Sequence, residues 1–351
     1  MIGSVRNSEL SPLRSLQTGT WFKLICGASY QALPSIRNLT IAYSLAGADC
    51  IDVAADLAVI AAAREGLAVA EKIASDKGKP FSRPWLMVSM SAGEDPHFRK
   101  AWFDANQCPS DCPRPCENVC PADAIDASGV VRDRCYGCGR CLPICPLGLI
   151  EAQSQPTHID EVARSVLAQA DALEIHTHVD QFEAVESLWK TLQPYAQHLK
   201  LVSISCPDGA ELIAYLQKIR ALIADPRSRT NVMWQTDGRP MSGDIGKGTT
   251  HAAVKLAQKV LASDLEGFVQ LAGGTNQHTV NKLRSLNLTQ HYANRNRDGD
   301  HAVAGVAYGS YARRLLLPVL EENLYLEEVS VDLWKAVAIA ASLVRPLKQT
   351  P

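Results

Sequence analysis

Short apolar runs alternate with amphipathic stretches along most of the chain. The runs are apolar at nearly every position, which is typical of parallel strands that are buried on both faces. The intervening stretches, such as 33–47 and 250–265, repeat apolar residues with the period of a helix. The predicted strands are 22–27, 50–56, 85–90, 172–177, 200–205, 231–236, 267–273 and 302–309.

Eight strand–helix units of this kind predict an α/β protein with a TIM-type (β/α)8 barrel. A doubly wound open sheet is the alternative, but the similar length of the units favours closure. The predicted domains are a first barrel part (20–92), an insertion (93–155), a second barrel part (156–325) and a C-terminal helix (326–351).

The insertion interrupts the third unit and is rich in cysteine. Its second half reads C-x2-C-x2-C-x3-C before Pro146, which matches the bacterial iron–sulfur run whose fourth cysteine ligates the other cluster. Its first half has gaps of three residues and also ends in Cys-Pro. The eight cysteines are Cys108, Cys112, Cys116, Cys120, Cys135, Cys138, Cys141 and Cys145.

This internal repeat predicts a ferredoxin-like α+β domain with two clusters and crossed ligation. The predicted ligands of one [4Fe–4S] cluster are Cys135, Cys138, Cys141 and Cys120. The predicted ligands of the other, a [4Fe–4S] or [3Fe–4S] cluster, are Cys108, Cys112, Cys116 and Cys145. The wider gaps in the first half lead us to expect a looser and more labile cluster there.

Two alternatives remain for these cysteines. The four-residue spacing of 108–120 fits one face of a helix, but Pro109, Pro113 and Pro115 argue against a regular helix there. Zinc is the stronger alternative, although zinc sites usually use C-x2-C pairs that are separated by longer loops.

Polar residues and glycines follow several predicted strands, at the face where such barrels bind ligands. The candidates for a phosphate or flavin site are Gly273, Gly274, Gly309 and Ser310. The segment 242–250, with Lys247 and Thr249, is a weak nucleotide signal because it lacks the P-loop spacing. Ordinary turn and cap residues are the alternative for each of these positions.

Other strand residues have simpler interpretations. His176 and His178 point to the same side of a strand and fit a metal pair, but satisfied polar residues at the barrel mouth are favoured. Cys26, Cys50 and Cys206 lack ligand spacing and are predicted to be buried free thiols.

Composition and charge limit the expected partners and location of the protein. The chain has 351 residues and a net charge of −2 without a basic face, so nucleic acid is not an expected partner. We expect neither a signal peptide nor a membrane span, and therefore a cytoplasmic protein with reduced thiols. Eleven cysteines in that setting favour metal over disulfides.

Residues 19–56, the cysteine-rich segment and residues 269–279 together resemble the cyanobacterial light-dependent period protein family. The resemblance implies an iron–sulfur protein that senses cellular redox state and passes light information to the circadian clock. It implies clock-associated partners, including histidine kinases, and carries the family's cluster ligands to the eight cysteines. It indicates neither an electron donor nor a quinone partner.

A weaker similarity to flavin-binding barrels, such as dihydroorotate and dihydrouridine reductases, rests on "AGG" and "AYGSYAR" after the last two strands. It implies the alternative function, an iron–sulfur oxidoreductase with a flavin in the barrel mouth. No clear catalytic acid stands beside these residues, so the sequence favours a sensor or electron-transfer protein over an enzyme.

Overall fold

Eight parallel strands close into a barrel, which confirms the TIM-type prediction and excludes the open sheet. This computed structural model describes residues 11–93, 98–120, 122–154, 159–224, 230–238, 248–289 and 302–349. The barrel strands are β1 Trp21–Gly27, β2 Cys50–Ala54, β3 Trp85–Ser91, β8 Ala172–His176, β9 Leu201–Cys206, β10 Asn231–Asp237, β11 Phe268–Ala272 and β12 Gly305–Tyr308. Four short strands lie between β3 and β8: β4 Arg99–Trp102, β5 Ile125–Asp126, β6 Gly129–Val130 and β7 Glu151–Ser154.

The barrel closes between its first and last strands. The strand order is β1-β12-β11-β10-β9-β8-β3-β2, and every pair is parallel. At the closing pair, Trp21 lies opposite Gly305. A Cβ atom at Gly305 would lie 1.9 Å from the carbonyl oxygen of Trp21. Only glycine leaves room for this approach of the two backbones.

Helices connect the strands on the outside of the barrel. The final helix packs against the second and tenth helices, so the C-terminal segment covers the outer layer and adds no strand. The described helices are α1 Pro12–Thr18, α2 Leu33–Ala46, α3 Leu57–Asp76, α4 Pro115–Val119, α5 Ile159–Leu167, α6 Phe182–Leu192, α7 Leu212–Ile223, α8 Thr250–Leu261, α9 Thr279–Ser285, α10 Ser310–Leu320 and α11 Ser330–Lys348.

A buried lysine occupies the middle of the barrel. The ammonium group of Lys23 on β1 forms ion pairs with the carboxylates of Glu174 and of Asp52, the latter at 3.1 Å. Burial acts to lower the pKa of Lys23, but the two carboxylates outweigh it and raise that pKa. The three side chains are almost completely shielded from solvent, so their charges depend on each other for compensation.

Neutral polar side chains complete this network. The hydroxyl of Ser203 and the amide of Gln235 donate to Glu174 at 2.9 and 2.7 Å. The hydroxyl of Ser89 donates to Asp52 at 2.7 Å. The amide of Gln270 donates to Gln235 at 2.6 Å. Neighbouring strands are therefore tied together through the barrel interior, where branched apolar residues are more usual.

The insertion follows the carboxyl end of β3, as predicted. Strands β4 and β7 pair antiparallel and bring its two ends together, and β5 and β6 form a second antiparallel pair. The insertion has an apolar cluster of its own that includes Ala101, Phe103, Ile125 and Ile150. It therefore forms a small unit at the face of the barrel where strands end.

No helix among the described residues has both the length and the apolar character to cross a lipid bilayer.

Replacing Lys23 by Met tests the buried network. We expect the variant to lose about 3–5 kcal/mol of unfolding free energy, because Asp52 and Glu174 are left buried without a positive partner. The matched control is Lys190→Met, which removes an exposed ion pair of 3.3 Å with Glu186 and should cost about 0–1 kcal/mol. Urea unfolding, followed by circular dichroism, measures both. Equal midpoints for the two variants would contradict this view of the barrel interior.

Candidate metal centre

The first cysteine loop is irregular up to its third cysteine. Residues 108–114 are not helical, as the prolines predict. Pro115, however, occupies the first turn of the one-turn helix α4, where a missing N–H costs nothing. Because α4 contains Cys116, that side chain is buried, while Cys108 and Cys112 are partly exposed.

The eight cysteines of the insertion interact as two sets. The inner set comprises Cys120, Cys135, Cys138 and Cys141, and the outer set comprises Cys108, Cys112, Cys116 and Cys145. Within the outer set, Cys108 interacts with Cys112 and Cys145, and Cys116 also interacts with Cys145. Each set thus combines three closely spaced cysteines with one from the other half of the repeat.

The inner set surrounds one cavity. All four of its cysteines line this cavity, together with Tyr136 and residues of the insertion's apolar cluster. Burial raises the pKa of Cys141 to about 12, and the neighbouring thiols of Cys138, Cys135 and Cys120 add to the rise. Four thiols that repel one another when charged need a positive group between them to become thiolates together.

Backbone amides point at several of these sulfur atoms. The amide of Ala124 donates to the Sγ of Cys120 at 3.3 Å, and the amide of Ala101 donates to the Sγ of Cys135 at 3.4 Å. Burial acts to raise the pKa of Cys145, but the four backbone amides of residues 147–150 outweigh it and lower that pKa. Amide donors of this kind stabilise thiolates, so the donor set fits iron–sulfur clusters.

A site for a single metal ion has stricter requirements than a cluster site. In the parts of the chain that the structure describes, no three His, Cys, Asp or Glu side chains are grouped to hold a single ion. A single zinc ion draws its ligands to within about 2.3 Å of one point, whereas a cubane takes its thiolates at the corners of a larger cage. The lack of such a group among the described residues therefore bears on single-ion sites and not on iron–sulfur clusters.

The two sets differ in their surroundings. Cys138 of the inner set packs against the main apolar core of the barrel, and Tyr136 belongs to that core. The outer-set cysteines that join a described apolar cluster join the insertion's own cluster. Two inner-set side chains are buried, Cys135 and Cys141, against Cys116 alone in the outer set. The inner set is therefore the more buried of the two and the one with a described contact to the barrel core.

Aromatic and cationic side chains join the inner set to the barrel mouth. The guanidinium of Arg313 on α10 lies over the ring of Tyr136, with 3.9 Å between its central carbon and the ring centroid. The ring of Tyr30 meets Tyr136 edge-on at 6.3 Å. Arg313 also donates to the carbonyl oxygens of Ile25 and Cys26, at 3.1 and 2.7 Å.

A buried lysine forms a second connection. The ammonium of Lys100 on β4 donates to the Oε1 of Gln31 at 2.8 Å and to the carbonyl of Arg132 at 2.7 Å. Burial lowers the pKa of Lys100, and the nearby Cys135 thiol opposes this effect. The backbone of Gln31 also donates to the carbonyl of Asp133 at 2.9 Å. Sequence analysis singled out none of Lys100, Tyr136 or Arg313, because only the fold brings them together.

The glycines predicted to bind phosphate have close neighbours within the barrel. The carbonyl of Gly274 accepts from the hydroxyls of Thr249 and Thr250, at 2.6 and 3.2 Å. The hydroxyl of Ser310, which follows Gly309, accepts from Arg313 at 3.2 Å. Gly273 adjoins Gly274 at the end of β11. The phosphate or flavin site stays a prediction, and Lys247 lies outside the described residues.

The remaining predicted residues lie on barrel strands or just beyond their ends. His176 contacts Glu174 at 3.2 Å, and its ring meets Phe98 edge-on at 5.5 Å, as the interpretation of a satisfied polar residue predicts. His178 also has a partner of its own. The cysteines outside the insertion are buried, as predicted, and none of them forms a disulfide: Cys26, Cys50 and Cys206.

Two family models match this chain and together span most of it. The model described as "LdpA Fe-S cluster-binding domain" matches residues 108–156. The model described as "Light dependent period A C-terminal domain" matches residues 166–346. The first range contains all eight clustered cysteines, and the second contains the later barrel strands and Arg313.

Individual proteins are similar to this chain over different lengths. "Light dependent period A" of Synechococcus elongatus is 53% identical over 343 residues, which cover 96% of this chain and 94% of that protein. The electron transport protein HydN of Escherichia coli K12 is 29% identical over 34% of this chain and 63% of its own length. A solved tryptophan synthase from Mycobacterium tuberculosis covers 96% of both chains with 14% identity and a TM-score of 0.44.

Gly27 offers a test of the junction between the barrel and the insertion. Its φ is +120°, and an added Cβ atom would lie 3.0 Å from the Nη1 of Arg313 and 3.2 Å from the Cβ of Tyr30. We expect Gly27→Ala to lose about 3 kcal/mol of unfolding free energy through backbone strain and crowding.

The control for this substitution is Gly78→Ala. Gly78 also has a positive φ, +60°, but open space around its Cβ position, so we expect a loss of about 1 kcal/mol. Urea midpoints compare the two variants. A smaller loss for Gly27→Ala than for Gly78→Ala would show that the junction tolerates a side chain there.

Proposed function

The chain belongs to the light dependent period A family, and on that basis we propose that it is an iron–sulfur redox sensor that conveys light-dependent cellular redox state to the circadian clock. The inner set would hold a [4Fe–4S] cluster, and the outer set would hold a [4Fe–4S] or [3Fe–4S] cluster. Bound there, the clusters supply one-electron redox chemistry.

The strongest support for this proposal is the grouping of the inner-set cysteines. The four cysteines of the inner set line a single cavity against the barrel, and one of them, Cys120, comes from the other half of the repeat. This is the grouping that crossed ligation requires. The interactions of Cys145 with Cys108 and Cys116 support the reciprocal grouping of the outer set.

The different surroundings of the two sets suit a sensor. The outer set, with three partly exposed cysteines, is open to oxidants and to redox partners in solution. The inner set contacts barrel residues such as Arg313 through Tyr136, so a change of charge there acts on the barrel mouth. The clock-associated partners, including histidine kinases, and the cytoplasmic location enter this proposal through family resemblance.

An absorption spectrum of the holoprotein, purified without oxygen, tests the function class. The sensor requires iron–sulfur absorption without flavin bands. Flavin bands would favour the alternative, an oxidoreductase with its cofactor in the barrel mouth. Lack of iron and of acid-labile sulfide in the anaerobic protein would contradict both functions.

Serine substitutions test the two ligand sets. We expect Cys120→Ser to alter the same electron paramagnetic resonance signal as Cys138→Ser, and Cys145→Ser to alter the same signal as Cys112→Ser, because each pair would share a cluster. Cys26→Ser is the control, since Cys26 is a buried barrel thiol and its loss should leave iron and sulfide unchanged. Signals that pair Cys145 with Cys138 would contradict crossed ligation.

The clusters should also differ in stability towards oxygen. We expect the outer-set signal to disappear first during controlled exposure to air, because three of its four cysteines are partly exposed. Resonance spectra at timed intervals measure the two rates, and Cys112→Ser and Cys138→Ser identify which signal belongs to which set. Earlier loss of the inner-set signal, or loss of both at one rate, would overturn the assignment of the labile cluster.

A further inference from the structure

The guanidinium of Arg313 carries a positive charge that no described carboxylate neutralises. Its described hydrogen-bond acceptors are the carbonyls of Ile25 and Cys26 and the hydroxyl of Ser310, all of which are neutral. Its Nε is buried without a hydrogen-bond partner. Partly buried charges of this kind act strongly on nearby charges, since little water screens them.

Only one aromatic ring separates this charge from the inner set. The guanidinium stacks on Tyr136 at 3.9 Å, and Tyr136 lies between Cys135 and Cys138 in the chain. Tyr136 lines the same cavity as all four inner-set cysteines.

We propose that the positive charge of Arg313 raises the reduction potential of the inner-set cluster. The proposal rests on the proposed function, since it requires a cluster on Cys120, Cys135, Cys138 and Cys141. Reduction adds one negative charge to the thiolate-bound cluster, and a nearby positive charge favours the form with more negative charge. The barrel thereby sets the redox range in which the inner set responds.

Several contacts keep the guanidinium in place. It bridges two consecutive carbonyls at the end of β1 and stacks on Tyr136. Gly27 leaves the room that its Nη1 occupies. Lys100, which is buried, and Arg140, which lines the inner-set cavity, are other cations close to the inner set, but both belong to the insertion. Arg313 belongs to the barrel, so its effect on the potential depends on how the insertion sits on the barrel.

Redox titration of the anaerobic holoprotein, followed by paramagnetic resonance, tests the proposal. In Arg313→Gln, we expect the ratio of reduced to oxidised inner-set cluster at a fixed potential to fall about tenfold, which is a downward shift of ~59 mV for one electron. Arg313→Lys keeps the charge and should retain most of the potential. Ser310→Asp leaves the stacking intact and places a carboxylate beside the guanidinium, so it should also lower the potential.

The control is Arg314→Gln, which removes the same charge from the neighbouring, exposed position and should leave both potentials unchanged. An equal potential in Arg313→Gln and Arg314→Gln would overturn the proposal. Equal shifts in Arg313→Gln and Arg313→Lys would also overturn it, because packing and not charge would then be responsible. If Arg313→Gln loses its cluster, Ser310→Asp decides the question. A wild-type protein without any cluster would instead refute the proposed function.

Discussion

The barrel depends on the compensation of charge around Lys23. An ammonium and two carboxylates, those of Asp52 and Glu174, are enclosed by strands without access to water. Each of these charges would be costly alone, and together they are tolerated because the pairs are close and each carboxylate also accepts hydrogen bonds from neutral side chains. The hydroxyl and amide donors on neighbouring strands extend this hydrogen-bonded network around the barrel. The interior therefore specifies which strands lie opposite each other as well as excluding water.

The same network leads to the face of the barrel that bears the insertion. His176 lies at the end of β8, contacts Glu174 and meets Phe98 at the start of the insertion. Three other barrel residues at this face contact residues of the insertion: Gln31, Tyr30 and Arg313. Of the clustered cysteines, Cys138 of the inner set packs against the barrel core, whereas the outer-set cysteines that join a described apolar cluster join that of the insertion. The surroundings of the inner set therefore depend on where the insertion sits on the barrel.

Most of the architecture could be predicted from local patterns. All eight predicted strands occur within a few residues of their expected positions, because parallel strands buried on both faces leave long apolar runs. The role of Lys23 and Glu174 could not be predicted from this pattern, because each is a single charged residue within an apolar run. Their partners lie far apart in the chain, and no spacing signal reports that strands β1 and β8 face each other across a barrel. In the insertion, Pro115 was expected to argue against a helix, but it begins one. A proline that is excluded from a helix interior is well suited to the first turn.

The sequence by itself determined the chemistry of this protein: eight thiols with iron–sulfur spacing, inserted into a barrel after its third strand. Such spacing is informative because cluster ligands come mostly from one short loop, whose reach is set by the number of residues between them. Tertiary structure alone decided the surroundings of those thiols. It placed Arg313 over the ring of Tyr136 beside the inner set, and it left Cys108 and Cys112 partly exposed. Burial and electrostatic interactions depend on residues that are distant in the chain, so only the folded molecule defines them.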